Sequence, residues 1–126
     1  MKFRWLFTFN AVVAAIYGIP AVLAPGVLYS LYGLDSTAGA LLVMQFFGSA
    51  LIAETLFTWG LRNIEPGDMR QTLTLALFAE SVIGLLASLI AQLGGVMNAL
   101  GWTVVALSAI FVVGYGYYRF VRSDAP

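Results

Sequence analysis

Two carboxyls are the first residues in this chain that could do chemistry. Glu54 interrupts an apolar run from Ala38 to Leu61, and Glu80 interrupts another from Gln71 to Leu93. An acid inside a hydrocarbon layer is expensive, usually faces protein or water, and often marks function. Glu54 lies eight residues before Arg62 and Glu80 ten after Arg70. At the helical rise, both sit roughly 12–15 Å inward from one edge. Asn10, six residues past Arg4, is roughly 9 Å deep, and Tyr115, four before Arg119, about 6 Å. Both are placed to hydrogen-bond toward the carboxyls. Thr58, one turn beyond Glu54, adds a hydroxyl. No Lys, Arg or His inhabits this layer; Arg62 is the nearest cation, and its stem is expected to snorkel outward. Two like acids in a low dielectric favour keeping at least one proton at neutral pH. Such a pair could relay protons, bind a small cation once deprotonated, or hold a neutral hydrogen bond that locks helices together. Glycoside hydrolysis fits poorly, because a sugar has no route into a thin helical bundle. Two acids without His give too few ligands for a transition metal, so no metal site and no cofactor are expected.

The elements that must position these residues follow from composition. The chain has 126 residues, 61% hydrophobic and 10% charged. A soluble domain averages roughly 45–50% apolar and about 25% charged. Net charge is zero, which leaves no basic excess for nucleic acid. There is no Cys and no His. That removes disulfides, thiol nucleophiles, iron–sulfur clusters, His-ligated haem and the commonest general base. Charged residues stand at punctuation points and leave four apolar runs, at about 5–24, 38–61, 71–93 and 99–118. Each is close to the ~20 residues that cross a bilayer as a helix. Helices satisfy their own backbone groups in lipid, and runs this long and uniform cannot alternate as strands. The expectation is one all-α domain over 1–126: a four-helix transmembrane bundle of up-down topology. The first run is read as a span rather than a cleaved signal peptide, because Pro25 follows the Val22-Leu23-Ala24 stretch.

With four spans, both ends of the chain and the Arg62–Arg70 loop share a side. That side carries Lys2, Arg4, Arg62, Arg70, Arg119 and Arg122, every basic residue present. The positive-inside rule then predicts a bacterial inner-membrane protein with both termini cytoplasmic. Trp5, Phe3, Trp59, Tyr115, Tyr117, Tyr118 and Phe120 gather toward the same boundary, as an interfacial aromatic belt would. In the loop after the first span, Pro25 suits a first helical turn and Gly33 a C-terminal cap, so Pro25–Gly33 reads either as a short interfacial helix anchored by Tyr29 and Tyr32 or as a tight loop. Pro20 is expected to kink the first span near Ile16 or Tyr17.

Small and polar residues recur at four-residue spacing. The third span gives Ala76, Glu80, Gly84, Ser88 and Gln92; the first gives Asn10, Ala14 and Gly18; the second gives Ala50, Glu54 and Thr58, beside Ser49 and Ala53. Residues four apart share a helix face, and small faces let membrane helices approach closely. These stripes are expected to mark the interior, with Ala14, Gly18, Ala76, Gly84 and Ser88 as packing positions. Phe46 and Phe47 lie mid-span, where packing or a lipophilic pocket could use them. Aligning the two helical hairpins matches Asn10 to Glu80 and little else, so no internal duplication is read.

Asn10-Ala11-Val12-Val13 with Tyr17-Gly18-Ile19-Pro20, then Pro25 with Leu31-Tyr32-Gly33-Leu34, then Trp59-Gly60-Leu61-Arg62, resemble a broad group of small bacterial four-span membrane proteins of unknown function. The resemblance implies four helices and an inner-membrane address, and carries over no site residue. Small multidrug-resistance exporters carry an acid in the first span, where this chain has Asn10. Small fluoride channels have an Asn-bearing second span, where this chain has Gln45 and Glu54. Neither class fits. The leading expectation is a non-catalytic integral membrane protein working by helix association in the lipid bilayer, as a homo-oligomer or a subunit of a larger complex. A proton-coupled carrier or channel using Glu54 and Glu80 is the alternative, and a lipid-, quinone- or pigment-binding bundle the third.

Overall fold

The computed structural model describes residues 2–126, and all its regular elements are helices. They are α1 (Phe3–Leu23), α2 (Pro25–Leu31), α3 (Ala38–Gly60), α4 (Asp68–Leu93) and α5 (Gly101–Gly116), the last running on into a π turn over Tyr117–Val121. Four of them, counting α5 with its π turn as one, are long and apolar enough to cross a membrane. The chain is therefore a multi-pass membrane protein by length and composition. The helices begin and end within a few residues of the sequence expectation. The main shift is at α4, which starts at Asp68 rather than after Arg70. An acid in the first turn of a helix offsets the exposed N–H groups and the positive dipole end.

Residues group into two compact units, one of Trp5–Arg62 and one of Asn63–Pro126 with residues 2–4. The first holds nearly all of α1 together with α2 and α3. α1 runs through Pro20 without a break. α2 is the short helix, with Pro25 in its first turn and no need of a side-chain cap. It closes on Gly33, whose φ of 67° lies in the left-handed region. The Leu34 N–H returns to the Tyr29 carbonyl at 2.8 Å and the Gly33 N–H to the Ser30 carbonyl at 3.2 Å. That pair of bonds satisfies carbonyls the helix would otherwise strand. Tyr29 and Tyr32 spend their hydroxyls inside the protein: Tyr29 Oη donates to the Ala40 carbonyl at 3.0 Å, and Tyr32 Oη lies 2.6 Å from Tyr17 Oη. They tie α2 to α3 and α1. α3 opens with Thr37, whose hydroxyl accepts the Ala40 N–H at 3.1 Å, an ordinary N-cap. Replacing Gly33 by Ala forces a Cβ into the left-handed region. We expect a loss of about 1 kcal/mol in detergent-titration unfolding, with Gly33→Asn recovering most of it.

The second unit packs α4 against α5. Beyond α4, Gly95 closes the helix with φ 73° and the same double return, Val96 N–H to Ala91 O at 2.9 Å and Gly95 N–H to Gln92 O at 3.2 Å. Asn98 starts α5 by accepting the Leu100 N–H on its side chain at 3.0 Å. A Cβ at Gly84 would meet only Ser108 Oγ, at an ordinary contact distance of 3.7 Å, so the helices touch there with room for a side chain. At the far end the π turn holds one more residue than an α turn, seen in the Arg122 N–H reaching the Tyr117 carbonyl. The chain then folds back, so that Pro126 accepts the Phe3 N–H at 3.1 Å.

Candidate functional site

Within the first unit, α1 buries residues that share one helical face: Leu6, Phe7, Asn10, Ala11, Ala14, Gly18 and Ala21. α3 buries Gly48, Leu51 and Thr58. The helices meet at glycines. A Cβ on Gly48 would lie 2.7 Å from Ala21 Cβ and 3.0 Å from the Gly18 carbonyl, and one on Gly18 would lie 2.9 Å from Leu51 Cβ. No side chain fits at that crossing, which is how small residues work in membranes: backbones approach, and many weak contacts replace a hydrophobic drive that lipid cannot give.

Two turns along this seam from Gly18 stands Asn10, buried, whose Nδ2 donates to Glu54 Oε1 at 2.7 Å. The bond needs nothing of the carboxyl beyond an acceptor, so it forms whether or not Glu54 carries a proton. Thr58 is fully buried, yet its hydroxyl serves the backbone, donating to the Glu54 carbonyl at 2.7 Å. Thr55 does the same toward the Leu51 carbonyl at 2.9 Å. Thr58 is thus a packing and backbone group beside the carboxyl, without a bond to it. Gln45 reaches across to the Val22 carbonyl at 3.1 Å.

The strict four-residue stripes hold in part. On α3, Ser49, Ala50 and Ala53 are exposed, and so are Phe46 and Phe47. On α4, Ala76 and Glu80 are exposed, Gly84 is half-buried and Ser88 is buried. The reason is geometric. Each four-residue step overshoots a 3.6-residue turn by about 40°, so a five-member stripe winds well around the helix. The buried α4 positions, Arg70, Thr74, Leu77 and Ser88, follow a different line. Glu80 therefore stands on the exposed side of its helix, whereas Glu54 faces the α1–α3 seam. Tyr115 is fully buried in the second unit, its ring stacked on Phe111 at 5.9 Å.

The aromatic belt divides in the same way. Trp5, Trp59, Tyr117 and Phe120 are exposed, as a boundary belt requires. Phe3, Tyr115 and Tyr118 are buried, and two of them surround the residue the sequence reading missed. Arg70 is 1% exposed. Its guanidinium lies 4.2 Å from the Phe3 ring centroid and 5.4 Å from that of Tyr118. Its Nη2 donates to the Ala125 carbonyl. Phe3 and Tyr118 meet edge to face at 5.2 Å. Arg62 behaves quite differently: half-buried at the end of α3, it folds onto the Trp59 ring at 4.0 Å and donates to the Trp59 carbonyl. Read from the sequence, both arginines look alike, as basic residues at loop edges. What separates them is pairing with residues at the two ends of the chain, which no local pattern encodes.

Among the described residues, no group of three or more acidic, His or Cys side chains could hold a metal ion. Comparison with protein-family models, with curated proteins and with solved structures returned no match. The chemistry of the site rests on its own residues.

Proposed function

We propose that this chain is a non-catalytic integral membrane protein that works by helix association, and that a second copy docks on the exposed side of α3. The observation that carries the reading is the two-sidedness of α3. Its buried side, Gly48 with Leu51 and Thr58, is consumed by the chain itself. Its exposed side carries a second small set, Ser49, Ala50 and Ala53, between the large apolar Val43, Phe46 and Leu56. Small residues flanked by large ones are the usual seam between membrane helices, since lipid gains nothing from a groove that a helix fills well. The Ser49 hydroxyl donates back to the Phe46 carbonyl at 2.7 Å, so the seam presents no stranded donor. The membrane is read as a bacterial inner membrane with the basic residues cytoplasmic. The bond between Phe3 and Pro126 supports both chain ends on one side.

The chain has no Cys, so single-cysteine variants report cleanly. Ala50→Cys and Ala53→Cys are expected to crosslink between copies in native membranes, while Gly39→Cys on the same helix stays largely monomeric. Ala53→Leu should shift the population from dimer toward monomer about fivefold, by filling the groove. Monomer alone at every protein-to-lipid ratio, or crosslinking to another protein only, would overturn the self-association reading.

A further inference from the structure

The Arg70 cage holds a buried guanidinium with an unusual set of partners. A charge removed from solvent is ordinarily matched by an opposite charge and a full set of hydrogen bonds. Among the described residues, no salt bridge reaches Arg70: the Glu65 and Asp124 carboxylates act on it only at longer range, and the ion pair nearby is Arg122 with Asp124 at 3.5 Å, exposed on both sides. Arg70 has two aromatic faces and one neutral carbonyl, and its Nε is buried with no partner. Gln71 Oε1 and Arg119 Nε, in the same unit, are buried polar atoms that also lack one. An orphaned guanidinium nitrogen, with the orphaned Gln71 Oε1 on the next residue, calls for a ligand or an ordered water.

The carbonyl belongs to a short strap, residues 123–126, of which only Ala125 is buried. The strap is lightly held. Gln71 Nε2 donates to the Ser123 carbonyl at 3.2 Å and to the Tyr118 carbonyl at 3.4 Å. The Phe3 N–H donates to Pro126, and the Ala125 N–H turns back to the Arg122 carbonyl. A guanidinium offers a planar fork of donors that suits two oxygens of one anion far better than a single amide carbonyl.

We propose that Arg70 is the receptor for a phosphate group, and that the Ser123–Pro126 strap occupies the receptor when no phosphate is bound. Binding exchanges the Ala125 carbonyl for phosphate oxygens on Nη2 and Nε, with the Phe3 and Tyr118 rings as the walls. Displacing the strap also carries Asp124 away from the incoming anion. The phosphate can belong to an acidic lipid headgroup or to a free solute, and the chemistry at Arg70 is the same. This inference does not depend on self-association through α3.

The test uses the full chain in nanodiscs with a spin label on Ser123→Cys, which reads the mobility of the strap. One series raises phosphatidylglycerol in phosphatidylcholine discs; a second adds inorganic phosphate to pure phosphatidylcholine discs. The expected result is a saturable release of the label in at least one series. Arg70→Lys keeps the charge but loses the fork, and should weaken the response at least tenfold. Gln71→Leu removes a hold on the strap and should shift the midpoint about fivefold toward lower phosphate. Release by lipid alone assigns the headgroup, release by phosphate alone assigns the solute, and release by both assigns a general receptor. No release in either series, an unchanged response in Arg70→Lys, or an unchanged midpoint in Gln71→Leu would overturn the proposal.

Discussion

Gly48→Leu is expected to open the α1–α3 seam and cost about 3 kcal/mol or more of stability, the upper end for overpacking a close contact. The added Cβ alone would stand 2.7 Å from Ala21 Cβ, 2.9 Å from a Val22 methyl and 3.0 Å from the Gly18 carbonyl. Those atoms belong to short, stiff side chains and to backbone, so they cannot swing away; the helices must separate. Separation costs the seam its dispersion contacts, and in a bilayer no hydrophobic drive restores them. It also draws Asn10 away from Glu54. Gly48→Ala sets two effects against each other: helix propensity favours Ala by about 1 kcal/mol, and the clash disfavours it by roughly 1–3 kcal/mol. The clash should win. Gly39→Ala on the same helix has nothing within 4 Å, so it should be neutral or stabilising by propensity alone. Unfolding by detergent titration, read on Trp fluorescence, gives both signs in one experiment. Equal effects at Gly39 and Gly48 would mean the seam is not where α1 and α3 hold each other.

The second large effect is expected at Asn10. Asn10→Leu removes the Nδ2 donor to Glu54 Oε1 and sets an apolar group beside a half-buried carboxyl. Removing one partner of a buried hydrogen bond costs about 1–3 kcal/mol, and single interhelical bonds in membranes run lower, with an average near ~0.6. We expect about 1–2 kcal/mol. Glu54→Gln keeps an acceptor oxygen for Asn10 Nδ2 and should change stability by less than about 0.5 kcal/mol. Asn10→Leu combined with Glu54→Leu removes both polar groups and should recover most of the loss, a positive coupling by double-mutant cycle. Infrared difference spectra add a functional readout. If the pair is an interhelical lock, the Glu54 carboxyl should hold one protonation state from about pH 5 to 8, the range through which buried acids can titrate. A Glu54 band that titrates in that window, and moves in Glu80→Gln, would replace the lock with a coupled, water-reachable pair and make the proton-carrier reading the better one.

The helices were legible because charge marks their ends. Arg4, Arg62, Arg70 and Arg119 bracket runs in which lipid forbids any other backbone, and Pro25 with Gly33 frames the short α2 by the φ each prefers. The Asn10–Glu54 bond was legible too, since depth along two helices follows from residue count and a fixed rise. Which side of α3 and α4 is covered was not. Both helices are apolar on nearly every side, so no stripe stands out, and a four-residue repeat winds away from the face it starts on. Ala50 and Ala76 are exposed for that reason. Arg70 lay beyond reach for another: its cage joins Phe3, Tyr118 and Ala125, far apart in the chain. The cue present locally, an Arg two residues into a helix, describes an ordinary surface cation equally well.

The division into two units also sets an order of events during synthesis. Trp5–Arg62 is one unbroken stretch, and the bonds that close it span at most 44 residues, from Asn10 to Glu54. Its seam can form while α4 is still inside the ribosome. The other unit is discontinuous: residues 2–4 precede the first unit in the chain, and the strap they bind follows α5. Contacts of such long range close slowly, because loop entropy is lost before any contact offsets it. Phe3 and its neighbours must therefore wait, outside their final surroundings, for the whole of α4 and α5 to be made. The Arg70 cage therefore closes only after the helices between its parts have been made.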